Sequence, residues 1–426
     1  MLNRLVAPAS RSIEQVTLPA AEVVPLANGA RLHILVNTAQ PVIRFQIVFP
    51  AGRWYDPTPG ISLLVARTLL EGTRTRTARQ IADEAAFYGA SLECEQGFDR
   101  TTLTLYCLSK HFEALLPLIH DVATHASFPA GEVEQFKTRT IQNIRVERQK
   151  TSYLAAERLS RNLFGVTHPY GIEFDEQRFA SLEAQQARDF YHAGFCLSEA
   201  ELFLCGHVED QHRRHIEQLF AQSDEGPGAL VKQAEPQPAM LPVDYVPVKD
   251  SLQATLRLGR LWPAATHPDN HALQVLVKVL GGYFGSRLMK NIREDKGFTY
   301  GIYASIAHRE HASQLVIGSD VNAENARAAV AEVHLELNRL QQELIPEDEL
   351  STVKNYITGK FLNELGTVFE QCDKYKYTVL LGLPADYYTQ YLSTVNHVTT
   401  AELQRLAQAY LSPEALSTVI AGPPQG

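Results

Sequence analysis

The chain has 426 residues, 45% hydrophobic and 20% charged, an ordinary globular balance that excludes a disordered, collagen-like or disulfide-scaffold protein. Its 39 Lys+Arg against 48 Asp+Glu give a formal net charge of -9, which disfavours a dedicated nucleic-acid binder. The length suggests two or three domains. No apolar run is long enough for a membrane helix. The opening MLNRLVAPASRSIEQVTLPAAEVV lacks the apolar core of a signal peptide. Five cysteines without a CxxC read as buried, reduced thiols, so a soluble cytoplasmic protein is expected.

In chain order, AEVVPLANGARLHILVN predicts two strands joined at Asn28-Gly29, a favoured hairpin turn, and VIRFQIVFP over 42–50 predicts a third strand. ARQIADEAAFYGA predicts a helix with Ile81, Ala85 and Tyr88 on one face, ended by Gly89. LECEQG and TTLTLYCL read as strands flanking a Phe98-Asp99-Arg100 turn. An amphipathic helix, KHFEALLPLIHDVATH, precedes a long polar helical stretch over 131–164, which ends before His168-Pro169-Tyr170-Gly171. AELFLCGHV (200–208) is a strand and DQHRRHIEQLFAQS a helix. Pro227, Pro236, Pro238, Pro242 and Pro247 then preclude a continuous helix or central strand and mark an extended linker.

After the linker the order recurs. SLQATLRLGRLW (251–262) is a strand matching VIRFQIVFPAGRW, and HALQVLVKVLGG is a helix with Leu273, Leu276, Val277 and Leu280 on one face. YGIYASIAH and HASQLVIGSD are paired strands; NAENARAAVAEVHLELNRLQQEL is a helix with Asn322 or Asn325 as cap. PEDELSTVKNYITGKFLNEL is another long helix opening near Pro346, and LSTVIAG (416–422) a closing strand. The expected fold is α+β: two duplicated domains, 1–222 and 251–426, each a mostly antiparallel sheet packed with helices, joined by the linker 223–250.

The fifteen histidines form no strong metal pattern, since neither HExxH nor HxxEH occurs. His308-Arg309-Glu310-His311 reads as a solvated hairpin turn, and His212 with His215, which flank two arginines, as an exposed helix face. GxSxG, Walker and GxGxxG motifs are absent. Gly281-Gly282-Tyr283-Phe284-Gly285 reads as a helix-interrupting bend that lets elements pack closely.

Four features nevertheless resemble the pitrilysin/insulinase-type metallopeptidase family, near its small bacterial and mitochondrial-processing-peptidase-like members. They are Ala51-Gly52-Arg53-Trp54-Tyr55 through Pro59-Gly60 and Leu70-Glu71-Gly72-Thr73; His168-Pro169-Tyr170-Gly171; Ser286-Arg287-Leu288 with Ile292 to Tyr300; and the duplicated layout. The resemblance implies a zinc motif HxxEH three residues after Gly60, where this chain has Leu63, Leu64, Val65, Ala66 and Arg67. It implies a third ligand, a Glu, near Asn143-Ile144, where the nearest carboxylate is Glu147, one helical turn away. No zinc is therefore expected on this chain, nor hydrolysis by it alone.

The resemblance also assigns Arg293 and Tyr300 as a substrate-binding pair, a guanidinium and a phenol able to donate to a carbonyl or developing oxyanion. A lost zinc motif beside a kept Arg–Tyr pair resembles the non-zinc chain of a heterodimeric peptidase. The implied partner is a zinc-bearing subunit of similar size, and the implied substrate a peptide or unfolded polypeptide. Two other readings compete with it. One is an inactive scaffold or peptide-binding protein resembling respiratory-complex core subunits; the other, an autonomous peptidase with an unrelated metal site, lacks any adequate His/Glu cluster.

Overall fold

Alternating apolar residues lay down two sheets in the computed structural model, which describes residues 18–222 and 243–424. The first contains β1 (Glu22–Pro25), β2 (Arg31–Val36), β3 (Val42–Phe49), β4 (Ser91–Gln96), β5 (Thr101–Leu108) and β6 (Glu201–Gly206), in the order β1-β2-β6-β3-β5-β4. Ile43, Phe45, Ile47 and Phe49 are all fully buried, as period-two alternation on a core-facing strand requires. The second contains β7 (Val243–Pro247), β8 (Gln253–Trp262), β9 (Thr299–His308), β10 (Ser313–Asn322) and β11 (Ser417–Gly422), in the order β7-β11-β8-β10-β9.

With β1 set aside, the two orders match strand for strand. β2-β6-β3-β5-β4 corresponds to β7-β11-β8-β10-β9, and in each sheet only the first of these pairs is parallel. The duplicated, mostly antiparallel fold expected from the sequence is therefore present. The β1–β2 hairpin turns where expected: Gly29 N donates to Leu26 O at 3.0 Å, and the Asn28 side chain accepts from Ala30 N at 3.2 Å.

Of the expected linker, residues 223–242 lie outside the described residues, whereas Val243–Pro247 form β7 rather than a connection. β7 is an edge strand with Pro247 at its end, where a missing donor costs little.

The first half adds α1 (Ile61–Thr68), α2 (Ala78–Phe87), α3 (Phe112–His125), α4 (Ala130–Glu147), α5 (Thr151–Phe164), α6 (Glu176–Ala180), α7 (Ala184–Gly194) and α8 (Asp210–Phe220). α2 opens on a Thr77/Gln80 capping box and is followed by Gly89 at φ +63, the left-handed residue that stops it. The stretch 131–164 is not one helix. Lys150 is extended and separates α4, which packs on α1 and α6, from α5, which packs on the second sheet. His212 is not exposed either: it is 2% exposed, its Nδ1 accepts from Glu209 N at 3.1 Å at the start of α8, and its ring meets the Phe112 edge. Helix capping drew this imidazole inward; His215, on the outer side, pairs with Glu113.

The second half adds α9 (Asn270–Gly281), a π-helical turn (Met289–Asp295), α10 (Ala326–Gln342), α11 (Glu347–Asn363), α12 (Val368–Leu380), α13 (Tyr387–His397) and α14 (Thr400–Tyr410). The glycine bend after α9 has its expected purpose, because a Cβ on Gly281 would lie 2.7 Å from Ala304 N on β9.

Each half lays one helix on the other's sheet. α5 packs on β8 and β11, with Arg158 donating to Asp244 at 3.0 Å and Thr255 donating to Thr151 at 2.9 Å. α12 packs on β2 and β6, with Arg44 gripping both Asp373 oxygens and the His33 ring sharing a 2.8 Å hydrogen bond with Tyr375. All five cysteines are buried and unbridged. Among the described residues, no helix is long and apolar enough to cross a membrane.

Candidate functional site

The first half of the site forms around α1. Asp56 starts the helix: its buried carboxylate accepts from Gly60 N at 2.8 Å and Ser62 N at 3.0 Å. Burial pushes its pKa up to about 6, against those hydrogen bonds and the charge of Arg53. α4 packs on α1 and brings Ile144 to Leu63, and both line one cavity of about 390 Å³ with Arg53, Asp56, Glu157 and Tyr170. Arg53 donates to Ile172 O and is partly buried, so desolvation lowers its pKa.

The residues at the zinc-motif positions do not fit a metal. Leu63 presents a hydrocarbon to the cavity, Ala66 is buried at 2% exposure, and Arg67 points outward without an ion pair to any described residue. Ile144 adds another hydrocarbon. None of the four is a donor for Zn²⁺, and no group of three or more metal-ligating side chains occurs among the described residues. No chemical step through zinc is assigned to this chain.

The second half of the candidate site is the expected Arg293–Tyr300 pair. Arg293 sits in the π-helical turn, an arrangement frequent at functional positions. Its Nε donates to Tyr300 O at 3.1 Å, and its guanidinium lies 4.5 Å from the centre of the Phe284 ring. Tyr300 is 97% exposed. The cause is a bulge in which Tyr300 and Gly301 on β9 face only Asp320 on β10, between the pairs Val321↔Thr299 and Ser319↔Ile302. Phe284 is also exposed, so a cation and two aromatic rings are presented to solvent together. The structure joins Arg293 to Tyr300, but neither lines the cavity at Leu63 and Ile144.

The far end of the same hairpin departs from expectation. His308-Arg309-Glu310-His311 is not a fully solvated turn, because the first half covers Arg309 and Glu310, while His311 stays exposed. Arg309 lies 3.6 Å from the Phe98 ring centre and 4.7 Å from that of Tyr170, and burial pulls its pKa down to about 10. Glu310 takes a forked pair from Arg100 at 2.6 and 2.9 Å, and its N–H donates to Asp99 at 3.1 Å. His311 stacks on Trp54 at 3.7 Å.

The socket is built from stretches that carried the family resemblance. The Gly52–Trp54 backbone bonds to the 97–99 turn, where a Cβ on Gly52 would lie 2.4 Å from Asp99 C. Tyr170, fully buried, donates to Asp99, and burial and then that contact raise its pKa. Sequence reasoning saw these stretches but not the hairpin tip they hold, since its four polar residues look like any surface turn.

Residues 33–170 match the family profile described as Insulinase (Peptidase family M16), and residues 181–357 match Peptidase M16 inactive domain. A Bacillus subtilis protein named uncharacterized zinc protease YmxG is 24% identical over 343 residues, spanning 79% of this chain and 83% of its own. A Helicobacter pylori protein named non-peptidase homolog YmxG is 20% identical over 370 residues, 85% of this chain and 84% of its own. The crystal structure of a peptidase M16 inactive domain from Pseudomonas fluorescens superposes with a TM-score of 0.87 at 22% identity, covering 95% of this chain and 99% of that one. A Helicobacter pylori protease structure gives 0.86 at 19% identity, covering 95% and 100%.

Proposed function

Because the chain belongs to the insulinase (M16) family of peptidases and its residues 181–357 match the inactive domain of that family, we propose that it is the non-zinc subunit of a two-chain zinc endopeptidase. Arg293 and Tyr300 would complete the active site of a zinc-bearing partner of similar size, donating to the carbonyl of a bound peptide. Zinc would sit on the partner. The complex would work in the cytoplasm, in keeping with five unbridged thiols.

One observation carries the reading. Tyr300 and His308 stand at opposite ends of β9, eight residues or roughly 26 Å apart at about 3.3 Å per residue. The His308 end docks beside this chain's cavity, where Leu63 and Ile144 put hydrocarbon at two zinc-motif positions, and the exposed Tyr300 stands at the other end of the strand. With no group of three metal-ligating side chains among the described residues, a pair so placed would serve a metal site supplied by another chain.

The test is purification of the tagged chain from its source, with the co-purifying chains sequenced and zinc measured. A near-stoichiometric chain carrying HxxEH is expected. In that complex Arg293→Ala and Tyr300→Phe should each lower peptide turnover while assembly persists, and unchanged turnover in both removes the assigned role. Recovery in a large assembly without a zinc-bearing relative would instead favour a scaffold, the reading to which the name of the Helicobacter non-peptidase homolog lends support.

A further inference from the structure

A cavity of about 590 Å³ belongs to neither half of that site. It lies between the edge strand β9 and helices α9, α11, α12 and α13. Its size is that of a small-ligand pocket, for which roughly 300–1,000 Å³ is usual.

Three lysines from three helices converge on it: Lys278, Lys360 and Lys374. The carboxylates in its wall are already engaged. Glu364 pairs with Lys374 at 2.6 Å and Lys360 at 3.6 Å. Asp373 is held by both Arg44 nitrogens and by Lys376. Glu370 caps α12 through Thr367. No carboxylate of the described residues lies within ion-pair distance of Lys278. Burial, with Lys360 and Lys374 nearby, pushes its pKa down against the attraction of Glu364. A partly buried ammonium with no carboxylate in contact is a standing cost that an incoming anion reduces.

Aromatic rings also line it. Phe361 and Tyr388 pack with ring centres 5.4 Å apart and with Lys374 Nζ 5.7 Å from each, and Tyr387 and Tyr391 lie beside them. One free cation next to a fixed carboxylate suits a monoanion better than a dianion, because Glu364 would repel the second charge. We propose that this cavity binds a monocarboxylate carried on an aromatic or aliphatic body, with Lys278 as counter-ion and the Phe361–Tyr388 pair as apolar wall.

The inference goes beyond the partner reading and does not depend on it, since the chain alone should bind. Titration calorimetry on the full chain would compare N-acetylphenylalanine, its amide and inorganic phosphate. The acid should bind at least tenfold more tightly than the amide or phosphate. Lys278→Met, which keeps the apolar stem, should lose that tenfold, and Lys278→Gln serves if the first variant fails to fold. Arg293→Ala should bind as the unaltered chain does. Equal affinity for acid and amide, tighter binding of phosphate, or undiminished binding by the Lys278 variants overturns the proposal.

Discussion

Replacing Glu310 by Ala tests whether the hairpin tip is a lock between the two halves. The Arg100–Glu310 pair is forked, at 2.6 and 2.9 Å, with side chains 24% and 14% exposed. Exposed pairs are worth about 0–1 kcal/mol, while removing one partner of a fully buried pair costs about 3–5 kcal/mol by stranding the other charge. This pair lies between those limits, so about 2 kcal/mol is expected. Arg309 stays stacked on Phe98 and Tyr170, and the Glu310 N–H keeps Asp99, so the tip should loosen rather than detach. Urea unfolding gives the energy. Hydrogen exchange at residues 52–54 and 309–312 gives the location, and both should change together. A double-mutant cycle with Arg100→Ala should return a coupling of about 1–3 kcal/mol. A change below about 0.5 kcal/mol with exchange unaltered at both segments would mean that the tip rests on the socket without holding it.

Two further outcomes follow from buried groups. Asp56 has its pKa raised from 3.8 to about 6, so the folded chain holds this proton more tightly than the unfolded one, and stability from this group falls as pH rises through that window. Relative to the non-titrating Asp56→Asn, the unaltered chain should lose about 2 kcal/mol between pH 4.5 and 7 at 1.36 kcal/mol per pKa unit, read from urea midpoints; parallel pH profiles would refute the assignment. Gly281→Ala gains about 1 kcal/mol of helix propensity but places a Cβ 2.7 Å from backbone N of Ala304. Overpacking of this kind costs about 1–3 kcal/mol, so the net should be a modest loss of thermal stability, and a stabilised variant would show that β9 yields there.

The sequence carried the local fold well, because local physics decides it. Asn28-Gly29 can only turn tightly, Ile43 to Phe49 alternate, and Gly281 permits the approach of α9 to β9. Leu63 and Ile144, far apart in the chain, could be paired only through the family resemblance, and they do share a cavity. What remained hidden depends on distant segments. Nothing in Thr151–Phe164 announces that its helix lies on the second sheet, nor in Val368–Leu380 that it lies on the first. The polar residues Arg309 and Glu310 signal exposure until Phe98 and Arg100 are seen over them. Tyr300 owes its exposure to a bulge, which is a property of the β9–β10 register.

The same contacts bear on how a chain without zinc chemistry could matter to catalysis. Two exchanged helices and a locked hairpin fix the halves to each other at both sheets. Tyr300 belongs to the very strand whose other end is locked, so its direction relative to the first half is set before any partner arrives. Pre-set geometry is what a group contributing only position and hydrogen bonding must supply, since a small misplacement of such a group removes most of its effect. The proposed role in trans therefore couples the two ends of β9. In a mixed complex Glu310→Ala should lower turnover from beyond the far end of β9, itself roughly 26 Å from Tyr300, with partner affinity kept if docking does not involve the tip. Equal turnover with a loosened tip would separate the lock from the active site and leave it a matter of stability alone.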